Sequence, residues 1–410
     1  MPHSARLLAA VGALCLVAGC MPAPLDSDSA ATESEPAHAE AIMRTVRDAM
    51  SELHLNAVLV RVSVDGREVV TEAVGESMTG VPATEAMHFR NGAVAISYVA
   101  TLLLLLAEDG TVGLDDTLSE YLPEVPHADR VTLRQLAAMT SGYVDYVIGN
   151  TEFEEQFDAD PFRAWTTHEL LALATSRPLL YEPGTNWNYA HTNYVLLGLA
   201  LEKATGEQMS TLLSDKVLRP LGLTSTTASL TAEIPSPVLH AFTSERRDAL
   251  GIPPSTPFYE ESTFWNPSWT ITHGAIQTTT IYDLEATAVG IGSGKLLRPD
   301  SYEQMVSTDL RGRTRTQPGC ATCMEMGEGF TYGLGIVISG NWLLQNPMFA
   351  GYAAAQAYLP EQKIAIAVAT TFAPEAFGDD GGYHNAAETL FRRIGAVLAP
   401  DDPPPMPPPR

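Results

Sequence analysis

Residues 93–107 read AVAISYVATLLLLLA and contain no charged side chain. They follow FRNG at residues 89–92 and are succeeded by EDG at residues 108–110. Leu and Ala favour a helix, and Gly110 stands where a helix C-cap is expected. Fifteen residues rise about 22 Å as a helix, which is less than the roughly 30 Å apolar core of a bilayer. The stretch therefore predicts a helix that is buried on all sides in a globular core.

The composition sets the size of the fold and excludes one class of partner. The chain has 410 residues, of which 45% are hydrophobic, enough for one large domain or two moderate ones. Its formal net charge is −25 and its pI is about 4.6. Because phosphate contacts need a basic surface, we expect no nucleic-acid partner. We interpret the acidity as an aid to solubility.

The first twenty residues predict an export signal. Arg6 precedes the apolar run LLAAVGALCLVAG at residues 7–19, and Cys20 follows it. The residues VAGC at 17–20 resemble a bacterial lipobox, in which Cys20 would be the lipidated N-terminus. The alternative is an ordinary signal peptide with a coincidental cysteine. We therefore expect a lipid-anchored protein of the cell envelope that faces away from the cytoplasm.

The remaining cysteines are few. If Cys20 is lipidated, Cys320 and Cys323 are the only available pair outside the signal. A disulfide is the leading interpretation in an exported protein, and a redox-active pair is an alternative. Such a short loop would contribute only about 2 kcal/mol on the chain-entropy model. No second pair of ligands with zinc-site spacing accompanies it, and we expect no metal or other cofactor.

The chain after the signal alternates between ordered and irregular stretches. Residues 21–38 are rich in Pro, Ser, Ala and acidic residues and predict a flexible tether. Helical periodicity begins near Ala39, and alternating valines at 58–64 precede a hairpin signal, Asp65-Gly66, with REVVTEAV as the partner strand. Residues 225–275 are irregular and aromatic, and predict either a loop that covers a site or filling for gaps in the core. Three predicted β segments, a closing helix at 384–398 and a proline-rich tail at 401–410 end the chain.

The run FRNGAVAISYVATLLLLLAEDGTVGLDDTLSEYLPEVPHADRVTLRQLAAMTSGYVDY, residues 89–146, resembles the serine β-lactamase and penicillin-binding family. It is most similar to class C β-lactamases and DD-peptidase-like esterases. The resemblance implies an α/β fold of the β-lactamase/transpeptidase type, an antiparallel sheet flanked by helices with an inserted all-α subdomain. We expect the domain to cover residues 39–400. Residues 39–90 and 329–400 would form its α/β part and residues 91–328 a mainly helical part.

The resemblance also shows where the catalytic motif has changed. In that family a Ser-x-x-Lys motif opens the helix, and a Gly follows seventeen positions after the Ser. Counting back from Gly110 places Ala93 at the nucleophile position and Ile96 at the lysine position. A spacing of three puts both side chains on one helix face, but neither can act as nucleophile or base.

Two further family motifs are altered. The Tyr-x-Asn motif corresponds to Tyr189 and His191, so that the Tyr is kept and the Asn is replaced. The third motif, Lys or His followed by x-Gly, aligns with Gln345, Asn346 and Pro347. Tyr189 and His191 are therefore the candidate catalytic residues, while a lone His near a helix start also fits a structural role.

Three hypotheses follow. The first is an exported lipoprotein that lacks acyl-enzyme catalysis and binds a peptidoglycan peptide or an envelope protein in the old groove. The second is a hydrolase of the β-lactamase, carboxypeptidase or esterase type in which Tyr189 and His191 activate water. In the third, Ile96 and its neighbours fill the groove and the domain is purely structural.

The lipid anchor gives the first testable prediction. Replacing Cys20→Ser removes the only thiol that a lipobox at 17–20 could present, so the variant should move from the membrane to the soluble fraction. Cell fractionation followed by immunoblotting measures this. Membrane association equal to that of the wild type would contradict the prediction.

Overall fold

The structure is a computed structural model that describes residues 27–406. The predicted export signal, Cys20, the first six residues of the predicted tether and the last four residues of the tail lie outside the described residues. No helix of the described part is long and apolar enough to cross a membrane.

The helices of the described residues are α1 Ser27–Glu52, α2 Val94–Glu108, α3 Leu133–Ala137, α4 Thr151–Ala159, α5 Thr167–Thr175, α6 His191–Thr205, α7 Met209–Leu213, α8 Arg219–Leu221, α9 Ile281–Gly292, α10 Pro299–Met305 and α11 Ala386–Leu398. The strands are β1 Leu55–Val64, β2 Arg67–Met78, β3 Val81–Pro82, β4 Phe89–Arg90, β5 Thr227–Ala228, β6 Phe242–Thr243, β7 Glu260–Glu261, β8 Gln277–Thr279, β9 Thr331–Tyr332, β10 Val337–Ser339, β11 Trp342–Gln345, β12 Met348–Phe349, β13 Tyr352–Leu359 and β14 Ile364–Phe372.

The largest sheet of the described residues is antiparallel throughout. Its order is β3-β2-β1-β14-β13-β11-β10-β9, and β12 also pairs with β13. The predicted hairpin at Asp65-Gly66 is confirmed, because Val64 pairs with Arg67 and both turn residues have positive φ. Two small sheets, β4-β8-β5 and β6-β7, belong to the middle of the chain.

Helices cover both faces of this sheet. Successive strand residues point to opposite faces. On β11, Trp342 packs edge-on against Phe391 of α11 at 5.4 Å between ring centroids. The next residue, Leu343, pairs with Tyr358, whose side chain lies against Gly292 of α9. The predicted fold class, an antiparallel sheet flanked by helices, is therefore confirmed.

Helix α2 is the buried centre of the helical half. Every residue from Val94 to Leu104 is buried. The hydroxyl groups of Ser97 and Thr101 donate to the carbonyl oxygens of Val94 and Ser97, so both buried hydroxyls have hydrogen-bond partners within the helix. The helix ends as predicted, with Gly110 at φ +79° just after the C-cap.

The structure differs from the predicted tether at 21–38 from Ser27 onward. Helix α1 begins at Ser27, twelve residues before the predicted start at Ala39. The residues between them include alanines and glutamates, which are strong helix formers, and they extend a helix whose later turns bury Ile42, Val46 and Ala49. Pro36 is accommodated within it.

The first residues of the predicted proline-rich tail at 401–410 pack on the domain. Pro404 is buried against Gly395 of α11. Trp342 donates from Nε1 to the carbonyl oxygen of Asp402 at 3.0 Å. The guanidinium of Arg392, itself 5% exposed, donates to the carbonyl oxygen of Pro405. The first residues of the tail therefore complete the core next to α11.

Ending the chain at Asp401 should lower the free energy of unfolding by about 2–4 kcal/mol, because the buried donors of Trp342 and Arg392 lose their acceptors. Urea denaturation followed by tryptophan fluorescence measures the loss. Met406→Ala is the matched control, since that side chain is 76% exposed and should leave stability unchanged. Equal stability of the shortened chain and the wild type would show that the tail does not support the core.

Candidate functional site

Helix α2 begins directly after Ala93, the residue that the family resemblance places at the nucleophile position. Strand β4 leads through Asn91 and Gly92 to Ala93, the N-cap residue, which is partly exposed. Asn91 accepts the backbone N–H of Gln277 through Oδ1 at 3.0 Å, which ties this turn to β8. The methyl group of Ala93 thus stands at the helix N-terminus, where a nucleophilic oxygen would profit from the helix dipole.

Ile96 lies one turn further along and is 1% exposed. Its surroundings are apolar or already hydrogen-bonded. Gly335 lies so close that a Cβ there would come within 2.4 Å of the Ala100 methyl group, 2.7 Å of the Tyr194 hydroxyl and 3.0 Å of the Ile96 carbonyl oxygen. The Tyr194 hydroxyl donates to the carbonyl oxygen of Ala137. This face of α2 therefore presents neither a nucleophile nor a base.

The segment Gln345, Asn346 and Pro347 lies beside this helix start. A Cβ on Gly92 would come within 2.7 Å of Cβ of Pro347 and 3.0 Å of the Phe349 ring, so only glycine fits at position 92. Gln345 is buried and donates from Nε2 to the carbonyl oxygen of Gly335 at 2.7 Å. Pro347 has no N–H, so it offers no backbone donor at the site.

The N-terminus of α11 holds the same segment in place. Asn385 donates from Nδ2 to the carbonyl oxygen of Asn346 at 2.9 Å. Asn346 in turn donates to the carboxylate of Glu388, which forms an ion pair with Arg392. Asn346 is therefore bonded to the start of α11 through both its side-chain amide and its backbone carbonyl oxygen.

Tyr189 and His191 are brought close to each other. Their rings meet edge to face at 5.2 Å between centroids, and His191 is the first residue of α6. Burial, together with the negative charge of Asp145, raises the pKa of the Tyr189 phenol. Tyr189 therefore remains a neutral phenol at neutral pH and is a poor base.

Asp145 is the partner of His191 and was not identified from the sequence. The imidazole Nδ1 lies 3.0 and 3.1 Å from the two carboxylate oxygens, and the backbone N–H of His191 donates to the same group at 3.0 Å. The backbone N–H groups of Val147 and Ile148 also donate to it. The side chains of His191 and Asp145 are only 12% and 3% exposed. A single acidic residue within the otherwise apolar run YVDYV was the signal for it.

Aromatic rings form a wall over this pair. The imidazole of His191 lies within 5.8 Å of the rings of Tyr146 and Trp269, centroid to centroid. Trp269 in turn meets the ring of Phe349 edge-on at 6.1 Å. The irregular stretch 225–275 thus contributes Trp269 to this wall, where its ring packs between those of His191 and Phe349.

The cysteine loop lies next to the same residues. Cys320 and Cys323 are joined by a disulfide. Between them, Thr322 donates from Oγ1 to the carbonyl oxygen of Tyr189 at 2.9 Å. Among the described residues, no group of three or more His, Cys, Asp or Glu side chains is placed to hold a metal ion.

Replacing Asp145→Ala should lower the free energy of unfolding by about 3 kcal/mol, because four backbone and imidazole N–H groups lose a buried charged acceptor. Urea denaturation measures this. Asp379→Ala removes a carboxylate from an exposed position and should have no effect. If both variants were as stable as the wild type, the pair would not be a structural element of the site.

Comparison with known proteins agrees with this geometry. The sequence profile of the Beta-lactamase family matches residues 42–391. A penicillin-binding protein of Bacillus subtilis is 27% identical over 146 residues, 34% of this chain and 30% of that protein. Penicillin-binding protein 4 of Amycolatopsis lactamdurans is 29% identical over 180 residues, 42% of this chain and 45% of that protein. The chain thus spans less than half the length of these curated relatives.

Solved structures show the same fold. The D-amino acid amidase of Ochrobactrum anthropi, complexed with L-phenylalanine amide, superposes with a TM-score of 0.72 at 21% identity, over 89% of this chain and 99% of that one. The octameric penicillin-binding protein homologue of Pyrococcus abyssi superposes with a TM-score of 0.66 at 20% identity, over 87% and 76% of the two chains. With the family profile covering most of its length, the chain belongs to the Beta-lactamase family, and it carries Ala93 and Ile96 on the helix that opens the site.

Proposed function

We propose that this protein is a non-catalytic member of its family that serves as a binding or scaffold protein of the cell envelope. The observation that carries the proposal is the pair Ala93 and Ile96 on one face of α2. Loss of the nucleophile in a serine hydrolase costs on the order of 10⁶ in rate, about 8 kcal/mol. Replacing a buried polar pair with apolar residues, in contrast, is often neutral or stabilising.

Side chains pack closely over the start of α2, which favours a partner that binds the surface over a ligand deep in the groove. Pro347 and Phe349 lie over Gly92, and Trp269 connects Phe349 to His191. The cavity next to them has only about 10 Å³ of space for the centre of a water-sized molecule. A peptidoglycan peptide would have to displace these rings, whereas an envelope protein would not. These contacts favour a protein partner for this domain, which would be held at the membrane through lipidated Cys20.

One observation favours the alternative of a hydrolase with a different mechanism. His191 Nδ1 lies 3.0 Å from Asp145 Oδ2, so in the neutral tautomer that donates this hydrogen bond Nε2 would carry the lone pair that a general base needs. Since relatives include amidases, D-amino acid amides and peptides are the substrates to assay. Activity that disappears in His191→Ala but remains in Tyr189→Phe would support a His191–Asp145 base. Hydrolysis that survives both changes together would exclude it.

The absence of acyl-enzyme chemistry is directly testable. Wild-type protein should form no covalent adduct with a fluorescent penicillin, and Ala93→Ser alone should add little, because a hydroxyl without a nearby base is weakly nucleophilic. Ala93→Ser combined with Ile96→Lys should be labelled, though slowly, since Pro347 offers no backbone donor. Gel fluorescence after timed exposure measures this for the three proteins.

The controls follow from the same helix. Ile96→Lys alone should not be labelled, and it measures how far a buried ammonium destabilises the fold, by about 1–4 kcal/mol. Ser97→Ala removes a hydroxyl that is already bonded to the Val94 carbonyl and should change nothing. Stoichiometric labelling of wild type that another Ser substitution abolishes would show that Ala93 is not the nucleophile position and that the protein is an active serine hydrolase.

A further inference from the structure

A small, partly open cavity lies near the start of α2, between β4 and the segment 262–269. Its space of about 10 Å³ for the centre of a water-sized molecule is room for one water or one small ion. Arg90 and Trp265 line it together with three aromatic side chains, those of Phe157, Trp269 and Phe349.

Arg90 brings a buried positive charge to this cavity. It is 2% exposed, and its guanidinium donates to the Ser229 hydroxyl and the Ala232 carbonyl oxygen. Both acceptors are neutral, and no carboxylate forms an ion pair with Arg90 within residues 27–406. Burial accordingly lowers the pKa of Arg90 to about 10. Buried charges are normally paired, so a bound anion would offset the desolvation cost of this group.

Trp265 brings an uncommitted hydrogen-bond donor. The side chain is 4% exposed, and its indole Nε1 has no acceptor among the described residues. Three other side chains on the lining, Ser262, Thr263 and Tyr352, donate to the carbonyl oxygens of Ala350, Ala241 and Leu239. The indole N–H of Trp265 therefore remains for an occupant, beside the positive charge of Arg90.

The aromatic lining favours a weakly hydrated anion over water. Aromatic rings carry a positive edge, which attracts negative charge. A cavity of this size suits a single small anion better than a polyatomic one.

From this cavity we propose a binding site for a single small monovalent anion, a halide such as chloride, held by Arg90 and Trp265. The anion neutralises the arginine three residues before Ala93 and joins β4 to the segment that carries Trp269. The site is independent of the proposed function, because it supports the fold at the start of α2 whether or not any chemistry takes place there.

Thermal unfolding in sodium chloride and in sodium gluconate, at equal ionic strength and pH, tests the proposal with the chain as it exists. Chloride and bromide should raise the Tm of the wild type saturably in the millimolar range, by about 2 °C at roughly tenfold excess over the Kd. Gluconate is too large for the cavity and should give no rise.

Trp265→Phe keeps the ring and removes the donor, so its Tm should no longer depend on halide. Trp187→Phe is the matched control. Trp187 is also buried, and its indole Nε1 has no acceptor among the described residues, but its side chain does not line the cavity. It should keep the full halide dependence. Equal dependence in Trp265→Phe and wild type would overturn the assignment of the donor.

Crystals of the wild type grown with low millimolar bromide give a second readout that does not depend on a variant folding. A bromide anomalous peak between Arg90 and Trp265 supports the proposal. A water at this position, or a wild-type Tm that is the same in chloride and gluconate, would overturn it.

Discussion

The burial of α2 on every side depends on an uncharged side chain at position 96. Ile96 is 1% exposed and lies within one turn of the helix start, deep in the joint between the sheet and the helical half. An unpaired ammonium group there would cost several kcal/mol of desolvation. With isoleucine, the helix packs without a charge to satisfy, and the side chain adds apolar contacts to the core.

The polar residues around the start of α2 are either neutral or bonded to the protein itself. Without a positive charge nearby, the phenol of Tyr189 responds to burial and to Asp145, which both favour its neutral form. Gln345 donates to a backbone carbonyl, and Asn346 bonds to Glu388 of α11. The side chains of Gln345 and Asn346 are thus bonded to the protein itself.

Local sequence patterns predicted the features that depend on local chemistry. The hairpin at Asp65-Gly66 and the end of α2 at Gly110 follow from backbone conformation, which neighbouring residues determine. The Asp145–His191 pair, the contact of Pro347 with Gly92 and the docking of Pro404 on α11 join residues far apart in the chain. No periodicity in the sequence encodes such long-range contacts. The sequence therefore indicated which residues to consider for the candidate site, but not which distant residues they contact. The start of α1 was misplaced because Pro36 and the acidic residues suggested disorder, although alanine and glutamate there favour helix.

The early start of α1 changes what the N-terminal segment can do mechanically. A helix of 26 residues is about 39 Å long and packs its later turns on the domain. In the proposed lipoprotein only residues 21–26 separate Cys20 from the helix, and six residues span at most about 20 Å even when fully extended. The domain would then be attached to the membrane through a helix and a connecting segment of only six residues. Such an attachment limits how far the domain can tilt or reach and would present a restricted set of surfaces to other proteins of the envelope.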